Sequence, residues 1–325
     1  MTATFEHAHD EFYAAAVRAF RSSTAADALD ALDWWHLLTE LNDPERRAAV
    51  FAVFRAQGRV LSSSIALGAL MARPYVEVSG RAVEPLVATL VRDSRRRGAV
   101  DVVVGNATGS RLLVDRPGSG AMILDPEDVE LRPVDIPGRL ELHEVDIRVA
   151  RWHASIGENE ARRARRWSAL VGRTALALEI LGAAEGALAL ALEHATARQQ
   201  FGKPIASFQA VRHLLAWAAC DCAALGRTAA QTVALGRDAP VRFDEITKAL
   251  AGRNGRRTCE RTLQVLGAIG FTAEHAHHHF HARVLTLDSL LGTSADLMAD
   301  LGGWLRELGG DPQIPLTLLL QDSRR

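Results

Sequence analysis

From about residue 160 almost to its end, the sequence repeats apolar residues at helical spacing in four long segments, near 160–198, 205–237, 242–267 and 274–308. Breaks at Phe201-Gly202-Lys203-Pro204, Gly236 to Pro240 and Gly267 to Gly270 leave only short connections. Long helices joined by short loops must run antiparallel beside one another, so this half of the chain is expected to form a four-helix bundle. The most apolar run, Thr174 to Leu192, is long enough to cross a bilayer but carries Glu179 and Glu185. Each mid-bilayer carboxylate would cost roughly 2.5–3.5 kcal/mol, which favours a buried core helix over a membrane span.

The first 97 residues read as shorter helices. Phe12, Ala16, Ala19 and Phe20 share one helical face, and Asn42-Asp43-Pro44 is a helix-start signal ahead of Val50, Val53 and Phe54. Trp34 and Trp35 are expected to pack on this cluster. Pro74 and Gly80 interrupt the pattern, a second apolar segment at Val83 to Val91 is expected to be helical, and Arg95-Arg96-Arg97 ends it as a solvated terminus. Between about 98 and 150 the texture changes to short β-rich runs, Val102-Val103-Val104, Arg111 to Val114 and Leu140 to Leu142. They are separated by Gly109, Pro117 to Gly120, Asp125-Pro126 and Pro137-Gly138, the pattern of a small antiparallel sheet. The expected class is mainly α, with an N-terminal helical domain at 1–97, a reduced middle β domain at 98–150 and the bundle at 151–325.

Composition narrows function by exclusion. With 38 basic and 39 acidic side chains the net charge is −1, which argues against a nucleic-acid or anionic-membrane partner. Only Lys203 and Lys248 among the basic residues are lysine, an arginine bias read mainly as genome composition. Three cysteines make no disulfide framework, and Cys220-Asp221-Cys222 lacks zinc half-site spacing. No signal peptide is visible at the start of the chain, and a cytoplasmic location is expected.

No phosphate-binding loop, dinucleotide fingerprint or nucleophile elbow is present. His275/His279 and His277/His281 lie one helical turn apart, yet the pairs point to different faces and no His-Glu-x-x-His accompanies them, so no metal is expected. Arg162-Arg163-Ala164-Arg165-Arg166 reads as a solvated helix face rather than a site for coenzyme A phosphates.

Two stretches carry more. Ala197-Arg198-Gln199-Gln200-Phe201-Gly202-Lys203-Pro204-Ile205, continuing through Ser207 to His213, resembles the signature that joins two helices of the C-terminal bundle in acyl-CoA dehydrogenases. About sixty residues later, Gln264-Val265-Leu266-Gly267-Ala268-Ile269-Gly270-Phe271-Thr272-Ala273-Glu274-His275 is similar to that family's glycine-rich turn. The domain order of helices, sheet and bundle is also the family's. The resemblance is firm from about 160 onward and looser before it.

The resemblance implies bound FAD. In the family these motifs reach across a subunit interface to the neighbour's flavin dinucleotide, so Arg198 would pair with diphosphate oxygens and Phe201 would pack on the cofactor. Gln200, Gln264, Gly267, Ala268 and Thr293 are the further cofactor-binding residues it implies. Acyl-CoA dehydrogenation also needs a carboxylate to remove the α-proton while the flavin accepts the β-hydride. The family sites for that glutamate fall here on Leu291, within Leu290-Leu291-Gly292-Thr293, and near Gly172, beside Arg173. Neither can take a proton, and Asp288 and Glu179 are the nearest acids in sequence. The flavin-covering hairpin expected before the matched strands is missing between Arg81 and Val104. The chain therefore reads as a subunit of a heteromeric acyl-CoA dehydrogenase, completing the cofactor site of a full-length paralogue that carries the base. A steroid-derived acyl-CoA substrate and an acceptor like electron-transfer flavoprotein are implied by analogy. A self-sufficient flavoenzyme with a displaced base, and a flavin-free assembly protein, are the alternatives.

Overall fold

The chain begins with α1 (Thr2–Ser22) and α2 (Ala25–Ala31), the latter capped by the Thr24 hydroxyl, which accepts from the Asp27 N–H. A one-turn α3 (Trp34–Leu37) and α4 (Pro44–Val60) follow. The computed structural model describes residues 2–80, 87–89, 91–93, 100–147 and 155–307. Asp43 starts α4 as its sequence predicts: its carboxylate accepts from the Arg46 N–H at 2.8 Å, and Pro44 occupies the first turn, where no amide donor is missed. The two tryptophans part company. Trp34 is fully buried, edge-on to Phe54 with centroids 5.8 Å apart, whereas Trp35 lies outside and donates its indole N–H to Asp30.

Pro74 does not interrupt the next helix. α5 (Ala66–Ser79) runs through it with the ring buried and stops at Gly80, whose φ of 61° ends the helix. The Val83 to Val91 segment is not helical where it is described. β1 (Val87–Thr89) and β2 (Val91–Asp93) occupy it, because Val87, Thr89 and Val91 alternate at the period of a strand. Strands thus begin before residue 98. β1 and β2 do not pair with each other, but β2 pairs antiparallel with the next strand in the chain, Val100–Val104, with Val91 opposite Val102, so a hairpin does stand between Arg81 and Val104 where none was expected. The Arg95 to Arg97 patch lies outside the described residues.

The remaining strands are β3 (Val100–Val104), β4 (Arg111–Arg116), β5 (Gly120–Leu124), β6 (Val129–Pro133) and β7 (Leu142–Ile147). They form two sheets, ordered β1-β4-β5 and β2-β3-β7-β6. All pairings are antiparallel except β1 with β4, which is parallel with Val87 opposite Arg111. Val103, Leu112, Val114, Met122, Leu124 and Val129 from both sheets share one apolar cluster between them. The domain is held to the bundle by Arg165, which grips Asp115 through two hydrogen bonds of 2.5 and 2.8 Å. That fixes one member of the Arg162 to Arg166 run in place, while Arg162, Arg163 and Arg166 face solvent.

The bundle is built on α6 (Glu158–Ala197), 40 residues and so about 60 Å long. A small hairpin, β8 (Gln199–Gln200) and β9 (Lys203–Pro204), leads into α7 (Gln209–Leu235) and α8 (Phe243–Leu266). The expected fourth helix is two: α9 (His277–Ser289) and α10 (Ser294–Glu307). The break falls at Leu291 and Gly292, both at positive φ (57° and 102°), a conformation that cannot continue a helix. α6 is long and apolar enough to cross a membrane, but most of that window is inside the fold, against α4, α5, α7, α8 and α9. At the α4 crossing the backbones touch: a Cβ at Gly58 would lie 2.0 Å from the Glu179 carbonyl oxygen, and one at Gly182 equally close to that of Arg55. The two acids of the apolar run are both paired. Glu185 takes two hydrogen bonds from Arg55, and Glu179 meets the fully buried Arg283 at 2.7 Å.

Candidate functional site

Both motifs arrive at one end of the bundle. The C-terminus of α6, the start of α7 and the end of α8 close there over a cluster of Ala191, Ala195, Leu215, Val265 and Leu266. Arg198 is the residue that ends α6, with extended backbone and an exposed side chain. It makes no ion pair among the described residues. Phe201 and Gly202 turn the β8–β9 hairpin, both at positive φ (52° and 77°), the geometry of a tight two-residue hairpin turn. A phenylalanine pays a steric penalty there, and strained backbone of this kind concentrates at functional positions. Phe201 is 90% exposed, so it is not a core residue of this chain. Its ring is edge-on to Phe208, over which Lys203 lies at 4.7 Å.

Gln264 is exposed on the last turn of α8, followed by the open backbone of Gly267 and the exposed Ala268, Ile269 and Phe271. Val265 and Leu266 pack against Ala191 and Ala195, which places the second motif's turn beside the first motif's helix end. Gln200 is exposed and turned back on its own strand, donating to the Gln199 carbonyl. A cation without a carboxylate among the described residues, a projecting aromatic ring, the exposed Gln264 amide and an uncovered glycine backbone suit a dinucleotide: charge for a diphosphate, a flat face for a ring, and close approach for the linker. The residues present fit FAD.

Thr293 does not join them. Its hydroxyl accepts from the Asp296 N–H and donates to the Asp296 carboxylate, capping α10. It lies near Arg173, whose Nε donates to the Leu291 carbonyl, and Arg173 sits 25 residues or about 37 Å along α6 from Arg198.

At that far end the two positions expected for a base meet. A Cβ built on Gly172 would lie 2.8 Å from Leu291 Cδ1 and 2.6 Å from Met71 Sδ. Two alternatives separated by more than a hundred residues are one place in the fold, and it is occupied by hydrocarbon and a thioether. Asp288 is committed elsewhere. Its oxygens accept from the Ser294 N–H and hydroxyl at 3.1 and 3.0 Å, and Lys248 Nζ lies 3.6 Å away. Lys248, fully buried, also donates to the Asp288 and Gly292 carbonyls, so it and Arg173 pin the turn that carries Leu291. Burial brings its ammonium down to about 8. Glu179 is held by Arg283, as above.

The histidines serve the fold. His277 is buried and hydrogen-bonded to the Thr262 hydroxyl at 2.8 Å, and His278 Nδ1 meets the His275 carbonyl. Among the described residues no group of three or more His, Cys, Asp or Glu is placed to hold a metal. Burial, with His281 and His275 nearby, brings the His277 ring down to about 4 from 6.5. Its folded value is below its unfolded one, so the unfolded chain binds the proton more readily. Its contribution is intact above pH 6.5 and is lost as pH falls toward 4, by at most about 3 kcal/mol. Urea midpoints at pH 7 and 5 should therefore differ less in His277→Gln than in the parent, and an equal difference would refute this.

Trp217, 56% exposed on α7, was not legible as a surface residue in sequence, since an aromatic side chain at helical spacing reads as core, whereas Phe271, 77% exposed, lies in the glycine-rich motif.

Residues 163–304 match the acyl-CoA dehydrogenase C-terminal domain family. The chain is 30% identical over 241 residues to acyl-CoA dehydrogenase FadE34 of Mycobacterium tuberculosis, covering 71% of this chain and 31% of that protein. It is 35% identical over 127 residues to acyl-CoA dehydrogenase IpdE2 of the same organism, 39% of each. The chain thus spans 31% and 39% of these two relatives' lengths. The fold is that of a Tcur3481-Tcur3483 steroid ACAD variant, with TM-score 0.76 at 19% identity over 94% of this chain and 100% of that one. It is also that of a chain in the ChsE4-ChsE5 complex from Mycobacterium tuberculosis, with TM-score 0.71 at 18% identity over 94% and 98%.

Proposed function

Because the chain belongs to the acyl-CoA dehydrogenase family, whose members are FAD-dependent, we propose that it is one subunit of a heteromeric acyl-CoA dehydrogenase. It completes a partner's flavin site and supplies no base of its own. The observation that carries this is the contrast between the bundle's two ends. One end offers Arg198, Phe201, Gln264 and the Gly267-Ala268 backbone outward. At the other, Gly172 and Leu291 close on Met71 where a carboxylate would stand.

FAD, when bound, supplies the hydride acceptor for α,β-desaturation of an acyl-CoA thioester. This chain's share is binding and orientation. Arg198 neutralises diphosphate charge, Phe201 covers an apolar face and excludes water from it, and Gln264 offers an amide to the polar arm. The base comes from a full-length paralogue. The Tcur3481-Tcur3483 steroid ACAD and the ChsE4-ChsE5 complex support both a paired assembly and, for the first, a steroid-derived acyl group. We place the complex in the cytoplasm, passing electrons to an acceptor like electron-transfer flavoprotein. A displaced base within this chain is disfavoured because the Asp288 oxygens bond Ser294 and Glu179 bonds Arg283.

The test is co-expression with a paralogue that carries the glutamate, followed by native mass and flavin absorbance. A complex containing both chains and flavin, inactive when the paralogue's glutamate becomes glutamine, is expected. If the chain purifies alone as a yellow dimer that oxidises acyl-CoA with an artificial acceptor, the reading is wrong. A complex without flavin would leave an assembly role instead.

A further inference from the structure

α7 and α8 pack antiparallel, with Cys222 against Thr258 and Thr232 against Thr247, and turn one continuous face outward. Arg261 joins the two halves of that face, pairing with Asp221 and lying 5.7 Å from the Trp217 ring. Its apolar part is Trp217 with exposed alanines at 216, 219 and 223 on α7, and Ile246 on α8. The charged part is lopsided. The acids exposed or half-exposed on the face are Asp221, taken by Arg261, and Glu260, 3.7 Å from Arg256. Arg212, Arg227, Arg253 and Arg257 are all exposed and have no carboxylate partner among the described residues. The helix register sets Arg227 at the level of Arg253 along the pair.

An exposed tryptophan set among arginines on one face matches the composition of protein interfaces. What the face cannot comfortably meet is itself. A two-fold contact between copies sets the same patch against itself, arginine facing arginine, and like charges in a desolvated contact oppose association. We propose that the α7–α8 face docks a different subunit whose facing surface is acidic, and that its unpaired arginines exclude a second copy of this chain. This rests on the heteromeric reading and adds to it the means by which unlike subunits are chosen: attraction to one partner and repulsion of self.

The test uses two forms of the full chain, so that no partner need be known. The parent is mixed with an R212E/R227E/R253E/R257E variant, whose face imitates an acidic partner. Sedimentation velocity should show a mixed complex at low salt that weakens at least about tenfold near 0.5 M NaCl, where screening shortens the reach of charge. Neither form alone should associate as tightly. The neutral pair R253Q/R257Q, which guards against misfolding of the reversed variant, should self-associate more tightly than the parent. The proposal is overturned if the mixture stays uncomplexed with both forms folded by circular dichroism. It is also overturned if R253Q/R257Q self-associates no better than the parent, or if a DNA duplex binds the parent and no mixed complex forms. Flavin content plays no part in these readings. A yellow, active homodimer would sink the proposed function by itself, whereas failure of the mixing test would sink only the account of how subunits are chosen.

Discussion

Replacing Arg283 by methionine should cost about 3–5 kcal/mol, a large part of the roughly 5–15 kcal/mol that holds a typical domain folded. The guanidinium is fully buried and every contact it makes is long-range. Nη1 donates to Glu179 Oε1 at 2.7 Å, Nε to the Gly138 carbonyl at 2.8 Å, and Nη2 to the Leu61 and Arg139 carbonyls at 3.2 and 2.5 Å. Leu61, Gly138 and Arg139 all have positive φ, at 58°, 101° and 54°. One side chain thus satisfies three carbonyls in two turns of unusual backbone, one after α4 and one in the strap between β6 and β7, besides neutralising the acid in α6. With methionine the Glu179 carboxylate is stranded in a dry site and three acceptors lose their donor. The double variant Glu179→Leu/Arg283→Met removes the stranded charge and should recover about half the loss, leaving the carbonyls as the remainder. Denaturant midpoints decide it. A single variant within about 1 kcal/mol of the parent would mean that the pair and the strap contribute little.

The second large effect concerns cofactor retention. In the co-expressed complex, Arg198→Glu should weaken flavin binding about a hundredfold, since loss of a covered charge partner costs roughly 2–5 kcal/mol and reversal adds repulsion from the diphosphate. The fold should not suffer, because Arg198 ends its helix with an exposed side chain and the helix end is held by its backbone N–H to the His194 carbonyl. Flavin fluorescence titrated into the apo-complex measures the change, with the melting temperature as the check on folding. Retention of flavin within about threefold of the parent would remove Arg198 from the site.

The two effects differ in how far sequence could foresee them. Arg198 and Phe201 sit inside a contiguous motif, so their chemistry and shared location could be read along the chain. The helix start at Asp43-Pro44 was equally legible, because a cap acts within one turn. Pro74 was misread as an interruption because proline is costly in a helix by itself, and α5 keeps its helix with the ring buried in the fold. The strands at Val87–Thr89 and Val91–Asp93 were missed since short apolar runs satisfy either periodicity until partners such as Arg111 to Leu113 and Val100 to Val102 select one. Thr293 was grouped with the flavin motifs by family pattern alone, and only the length of α6 separates it from them.

The sequence by itself determined the elements whose information is local: the bundle helices through α8, the two motifs at their connections, and the absence of a carboxylate at residues 172 and 291. Tertiary structure alone decided what is nonlocal. It joined Gly172 to Leu291 as a single position, bound Glu179 to Arg283 across 104 residues, and left Phe201 and Arg212, Arg227, Arg253 and Arg257 facing outward. Periodicity and capping act over one or two turns of chain, whereas burial and charge pairing depend on which distant segments the packed core brings together.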